Sequence, residues 1–199
     1  MSDHQGGDSI SFVGPDSNQA ARRFAIVAFA ALWRGERVRA IDLAPDQSVV
    51  ETLTQAGRVE VDDDGVLVGI HGLATRPTHH RIEHDKGAVH TWCALDAVGI
   101  PAALGINAAA ITSCPTCDAE LRVRLVDGQL RDDSTFLLWL PDSRCEHLVQ
   151  DFCNHANLYC DRGHLDTALQ QGLGRAITVA EAAEIGRPMW ADVAAVVRP

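Results

Sequence analysis

At 199 residues the chain can form one large domain or two small ones sharing a core, and its 46% hydrophobic and 22% charged content is that of an ordinary globular protein. A net charge of −10 argues against a general nucleic-acid or anionic-membrane binder. No window approaches the roughly 18 apolar residues of a membrane span, and residues 1–8 lack the basic and apolar regions of a signal peptide, so a cytoplasmic location is expected.

Residues 1–16, rich in Gly, Ser and Asp, read as a disordered tail. From Ser17 to Trp33 the apolar positions Ala21, Phe24, Ala25, Ala28, Phe29 and Leu32 fall on one helical face. Val38–Leu43 predicts a second, short helix. Asp46 is the expected cap of a third, which carries Val49, Val50 and Leu53 and stops at Gly57. Two strands follow, Arg58–Val61 and Val66–Ile70, joined across the hairpin turn Asp62-Asp63-Asp64-Gly65.

Three helices and a hairpin make a winged-helix-like N-terminal domain over residues 17–75. Its charges oppose DNA binding. Six arginines face eight acidic side chains, a net charge of −2, and the would-be recognition helix from Asp46 to Ala56 holds no Lys or Arg. The segment is expected to be a structural cover packed on the remainder, residues 76–199. There a small mixed β-sheet flanked by helices is predicted, giving an α+β fold: Ala108–Thr112, Glu120–Val126 and Thr135–Leu140 as strands, a further short segment from Leu148 that delivers Cys153 and continues through Asn157–Tyr159, and a final helix capped by Thr178. His79, His80, His84 and His90 lie in a polar stretch at irregular spacing and are expected to be solvated rather than metal-bound.

The stretch around which the chain is organised is Val89–Ile100, read as a buried helix ended or kinked by Pro101. Cys93 and Asp96, three residues apart, share one face and can reach one small object. A buried carboxylate is costly unless hydrogen-bonded, paired or protonated. Two readings stand side by side: a structural cysteine with an aspartate satisfied by nearby backbone, or a thiol and a carboxyl placed for chemistry.

Six cysteines (93, 114, 117, 145, 153 and 160) in a reducing compartment point to metal or catalysis rather than a disulfide framework. Cys114-Pro115-Thr116-Cys117 has zinc-knuckle spacing. The sequence offers no second C-x-x-C, and Cys145, His147, Cys153 and Cys160 lack a standard ribbon spacing, so structural zinc is not the expected reading.

Together, Trp92-Cys93-Ala94-Leu95-Asp96 with a proline soon after, Cys114 at a strand end, Phe152-Cys153-Asn154-His155, and the preceding helix-helix-helix-hairpin resemble the organomercurial (alkylmercury) lyases over roughly residues 18–190. The resemblance implies that Cys93 and Cys153 bind mercury, that Asp96 donates a proton, and that Cys114 is a buried structural cysteine. Cys117 stands where the family commonly has another residue, and Cys145 and Cys160 lie outside its catalytic pattern; Cys114 and Cys117 become candidate accessory thiols. Soft Hg(II) selects thiolates. Two of them on one mercury enrich the attached carbon for protonation by a neighbouring acid. The expected activity is therefore protonolysis of a carbon–mercury bond to a hydrocarbon and Hg(II), in mercury detoxification, with no resident cofactor and with a mercuric reductase or small thiols as Hg(II) acceptor. The rivals are a thiolate metal-binding protein on the same fold and a lyase acting on another carbon–metalloid or carbon–sulfur bond.

Overall fold

The computed structural model describes residues 19–44, 46–131, 134–142, 146–168 and 173–197. The expected tail, Ser17 and Cys145 lie outside them. The N-terminal helices are α1 (Gln19–Trp33), α2 (Ala40–Leu43) and α3 (Gln47–Gln55). Asp46 caps α3 by accepting the Val49 N–H at 3.2 Å, and Gly57 at φ +63° closes it. The hairpin is β1 (Val59–Val61) and β2 (Leu67–Ile70).

The hairpin does not stop at residue 70. His71 (φ +48°) and Gly72 (φ +89°) form a two-residue turn into β3 (Leu73–Ala74), the positive-φ pair that matches strand twist. Next come β4 (His80–His84), β5 (Gly87–Thr91), β6 (Ala108–Ser113), β7 (Glu120–Val126) and β8 (Gln129–Leu130). They join one eight-stranded sheet in the order β1-β2-β3-β5-β4-β6-β7-β8, which runs unbroken across residue 75. A second sheet has the order β10-β9-β11, from β9 (Leu137–Pro141), β10 (Leu158–Tyr159) and β11 (Gly174–Thr178). Every strand pairing among the described residues is antiparallel, so the fold mixes helix and sheet while the sheets themselves are of one kind.

The organising helix, α4, spans Ala94–Leu104, later than expected at both ends. Val89 to Thr91 belong to β5, where β-branched residues pair with Ile82 and His80. Pro101 sits inside α4 without ending it. All eleven residues of α4 are buried, and that packing outweighs the roughly 3 kcal/mol cost of an internal proline. Gly105, left-handed at φ +65°, supplies the stop.

Helix α4 lies between the large sheet and the C-terminal helices α6 (Val179–Met189) and α7 (Ala191–Val197). Gly99 and Gly186 let α4 and α6 cross backbone to backbone: a Cβ on Gly186 would stand 2.2 Å from the Gly99 Cα. Trp190 covers the crossing and donates its indole N–H to the His71 carbonyl at 3.0 Å. Thr178 and Glu181 form the expected capping box at the start of α6. The short segment expected from Leu148 is a π-helix (Leu148–Cys153) that does deliver Cys153, and after Asp161 the polar residues Arg162 and Gly163 already belong to α5 (Arg162–Ala168).

The histidine stretch is less solvated than expected. His80 is buried against the Thr112 hydroxyl, and its ring is held down to a pKa of about 4 by burial, aided by neighbouring His79. His84 stacks on Trp33 with ring centroids 4.8 Å apart. Alternation along β4 turns these side chains inward. Among the described residues none of the four joins a metal-competent cluster. No described helix is long and apolar enough to cross a membrane.

Candidate active site

Cys93 leaves β5 in an extended conformation (φ −148°) and caps the N-terminus of α4. Its backbone N–H donates to Asp96 Oδ2 at 3.0 Å, so Cys93 and Asp96 occupy the two places of a capping box, with a thiol in the usual hydroxyl position. The two meet, but through a helix cap rather than on one helical face, because Cys93 stands just outside α4. The aspartate does have a backbone partner, but a third group also arrives. Cys153, at the end of the π-helix, brings its sulfur to a point where the donor atoms of Cys93, Asp96 and Cys153 all lie within 4.8 Å of one another. All three residues are buried, Cys93 completely.

Backbone hydrogen bonds hold the two sulfur-bearing segments in register. Ala94 N–H donates to the Ala156 carbonyl at 3.0 Å, and Ala156 N–H bonds back to Phe152 at 3.0 Å. The start of the π-helix is tied to the N-terminal helices, because Leu148 N–H donates to the Ala56 carbonyl at 2.9 Å. Single-turn π-helices recur at functional sites, where the wider turn re-aims a side chain. The other anchor is Trp92, whose indole N–H donates to Glu60 Oε2 at 2.8 Å and whose backbone N–H donates to Gly72 at 2.8 Å.

Gly72 itself was not singled out by sequence reasoning. A Cβ there would stand 2.5 Å from Asp96 Cγ, so the β2–β3 turn can lie against the carboxyl only because residue 72 is glycine. An isolated His-Gly pair between two short apolar runs was the one available signal.

Burial sets the electrostatics. It lifts the Asp96 carboxyl to a pKa of about 7, against the opposing pull of the hydrogen bonds from Cys93. It also pushes the Cys93 thiol well above its usual range, reinforced by the hydrogen bond with Cys153 and the charge of Asp96. The helix N-terminus favours a thiolate, but enclosure prevails and Cys93 rests protonated. Cys93 therefore holds its proton at rest, beside a carboxyl able to accept or give one near neutral pH.

The remaining cysteines gather elsewhere. Cys114, just beyond β6, and Cys117 meet Cys160, after β10, and His164, on α5. Cys160 is among the residues weighed as further ligands for the C-x-x-C and set aside for want of a standard spacing, whereas His164 was not singled out by sequence reasoning. Their C-x-x-x-H spacing, four residues apart at a helix start, was a readable sign. Of the other residues considered for that role, His147 accepts the Gln150 N–H at the start of the π-helix and Cys153 belongs to the triad. The five described cysteines are all free thiols.

The family model for alkylmercury lyases matches residues 73–191, which contain both sulfur clusters. Over 159 residues the chain is 30% identical to the alkylmercury lyase of Streptomyces lividans, covering 76% of this chain and 71% of that protein. It is 28% identical over 165 residues to the alkylmercury lyase of Bacillus cereus, covering 78% and 75% respectively. Its fold is similar to the crystal structure of the mercury-bound form of MerB2, with a TM-score of 0.71 over 89% of this chain and 100% of that one, at 17% identity. On the family match and the extent of these similarities, the chain belongs to the alkylmercury lyase family.

Proposed function

We propose that this protein is an organomercurial lyase in which Cys93 and Cys153 hold the mercury and Asp96 moves the proton. The single observation that carries the assignment of residues is the meeting of two thiols and one carboxyl of raised pKa in the buried core.

The reaction balances with these groups alone. A substrate R–Hg–SR′ exchanges its small thiolate for one of the two protein sulfurs, and R′SH leaves with that sulfur's proton. The second sulfur adds to the same mercury and passes its proton to the ionised Asp96. Two sulfurs on the metal raise electron density at the attached carbon. Protonated Asp96, held within 4.8 Å of both sulfurs, delivers the proton to that carbon. The carbon–mercury bond breaks to give R–H and Hg(II) bound by Cys93 and Cys153. A pKa of about 7 lets one carboxyl serve as base and then as acid at neutral pH.

No resident cofactor is needed for these steps. The Hg(II) would pass to small thiols or to a mercuric reductase. Neither nucleic acid nor membrane enters the reading: the chain carries a net charge of −10 and α3 has no Lys or Arg. Residues 17–75 would act as an N-terminal unit covering the 76–199 lyase core, supported by the Ala56–Leu148 bond behind Cys153 and by the Arg22–Asp192 ion pair between α1 and α7. Incubating the purified protein with phenylmercury and excess thiol should release benzene. Mercury binding without benzene release would favour a metal-binding protein instead.

A further inference from the structure

The second sulfur cluster shares no residue with the proposed mercury site, and its geometry is that of a closed metal site. Cys114 Sγ lies 3.6 Å from His164 Nδ1, Cys117 Sγ lies 3.8 Å from Cys160 Sγ, and Cys160 Sγ lies 2.9 Å from His164 Nδ1. All four donor atoms fall within 4.8 Å of one another. A tetrahedral zinc with bonds of about 2.3 Å to sulfur and about 2.0 Å to nitrogen has S···S edges of about 3.7 Å and S···N edges of about 3.5 Å. Two of the three distances match these edges without movement, and the third needs only a small rotation of the His164 ring.

The surroundings are those of a knuckle. Backbone N–H groups of Thr116, Cys117 and Cys160 point at the Cys114 sulfur. The chain turns sharply after Cys117, with Asp118 left-handed at φ +57° and its N–H returned to the Cys114 carbonyl at 2.8 Å. On the opposite side, Asp161 accepts the His164 N–H at 2.9 Å and fixes the start of α5. The four side chains come from a strand end, a turn, a strand end and a helix. Three thiols and an imidazole converge here from separate segments, and the Asp161 carboxylate beside them accepts from Cys160 Sγ at 3.6 Å.

We infer that Cys114, Cys117, Cys160 and His164 bind one structural zinc ion. Three thiolates with one imidazole complete a four-coordinate shell and leave no open position for substrate. The metal would fasten the segment just downstream of Cys153 to the end of β6, so it braces the half of the mercury site that α4 does not hold. The assignment is independent of the lyase reading.

The test uses the full chain, produced in zinc-containing medium and purified under reducing conditions without chelator. Elemental analysis should find about one zinc per chain. Exchange with Co(II) alone should give the intense thiolate charge-transfer and visible d–d bands of a tetrahedral sulfur-rich site. Cys117→Ser and His164→Ala should lower the zinc content at least tenfold, while Cys93→Ser should retain it. A wild-type protein that carries no zinc and gives no such cobalt spectrum would overturn the assignment, even if the variants failed to fold. So would zinc lost in Cys93→Ser but kept in Cys117→Ser, or a Cys117–Cys160 disulfide persisting under reduction.

Discussion

The chain carries two sulfur clusters whose difference lies in their remaining members. In one, Cys93 and Cys153 meet the carboxyl of Asp96 deep in the core; in the other, Cys114, Cys117 and Cys160 meet the imidazole of His164 nearer the surface. Both offer soft ligands to a soft metal. On the proposed roles, the first would leave mercury under-coordinated with a carboxyl beside it, which suits a bond about to be cleaved. The second would fill a tetrahedral shell, and the carboxylate beside it, Asp161, is taken up by the Cys160 thiol and the His164 N–H, which suits a metal that stays. Sulfur count does not distinguish turnover from storage here; the companion group and its burial do.

The largest expected effect is at the first cluster. Cys93→Ser should lower R–H release below about a thousandth of the wild-type rate in a gas-chromatographic assay, and should weaken Hg(II) retention, because a hydroxyl is neither a soft ligand nor readily ionised. Retention of full activity would dissolve the contrast between the clusters. Gly72→Ala should come next. The added methyl meets Asp96 Cγ at 2.5 Å, so the carboxyl must move, and a displacement near 1 Å can cost about 10²-fold in kcat. Mercury affinity should change far less, which a competition titration against a small thiol would measure.

At the second cluster, Cys117→Ser or chelation should lower Tm by several degrees, measured by calorimetry, because a metal that binds only the folded state stabilises it. A Tm insensitive to chelator would argue that the cluster is ornamental to the fold. The smallest effect lies outside both clusters. His80 titrates near 4 in the folded protein and at 6.5 when unfolded. The unfolded chain therefore takes up the proton first. The stabilisation is complete above pH 6.5 and drains away as pH falls toward 4, by about 3 kcal/mol at most. Urea midpoints across that window should fall in the wild type and flatten in His80→Gln.

Much of this was legible where local chemistry dominates. Asp46, Gly57, the Asp62–Gly65 turn and the Thr178–Glu181 box are short-range signals, and each element formed where its signal stood. Cys93 and Asp96 were legible as a pair because three residues separate them, although a helix cap and not a helical face joins them. What escaped was set by tertiary packing. Pro101 reads as a stop, yet burial on every side carried α4 past it. His80 reads as solvated, yet strand alternation turned it onto Thr112. The joining of Cys160 and His164 to Cys114 and Cys117 required β10 to end beside β6, a contact no local pattern encodes. The π-helix that aims Cys153 gave no sequence sign at all.

If Asp96 supplies the proton while the sulfurs supply the affinity, Asp96→Asn separates the two. Asparagine keeps the side chain's shape and its acceptor for the Cys93 N–H, but carries no transferable proton at neutral pH. Single-turnover release of benzene from phenylmercury, read beside Hg(II) affinity on the same preparation, is the measurement. Mercury binding should stay near wild-type while release slows by roughly 10²–10⁴-fold. Benzene release by Asp96→Asn at the wild-type rate would contradict it.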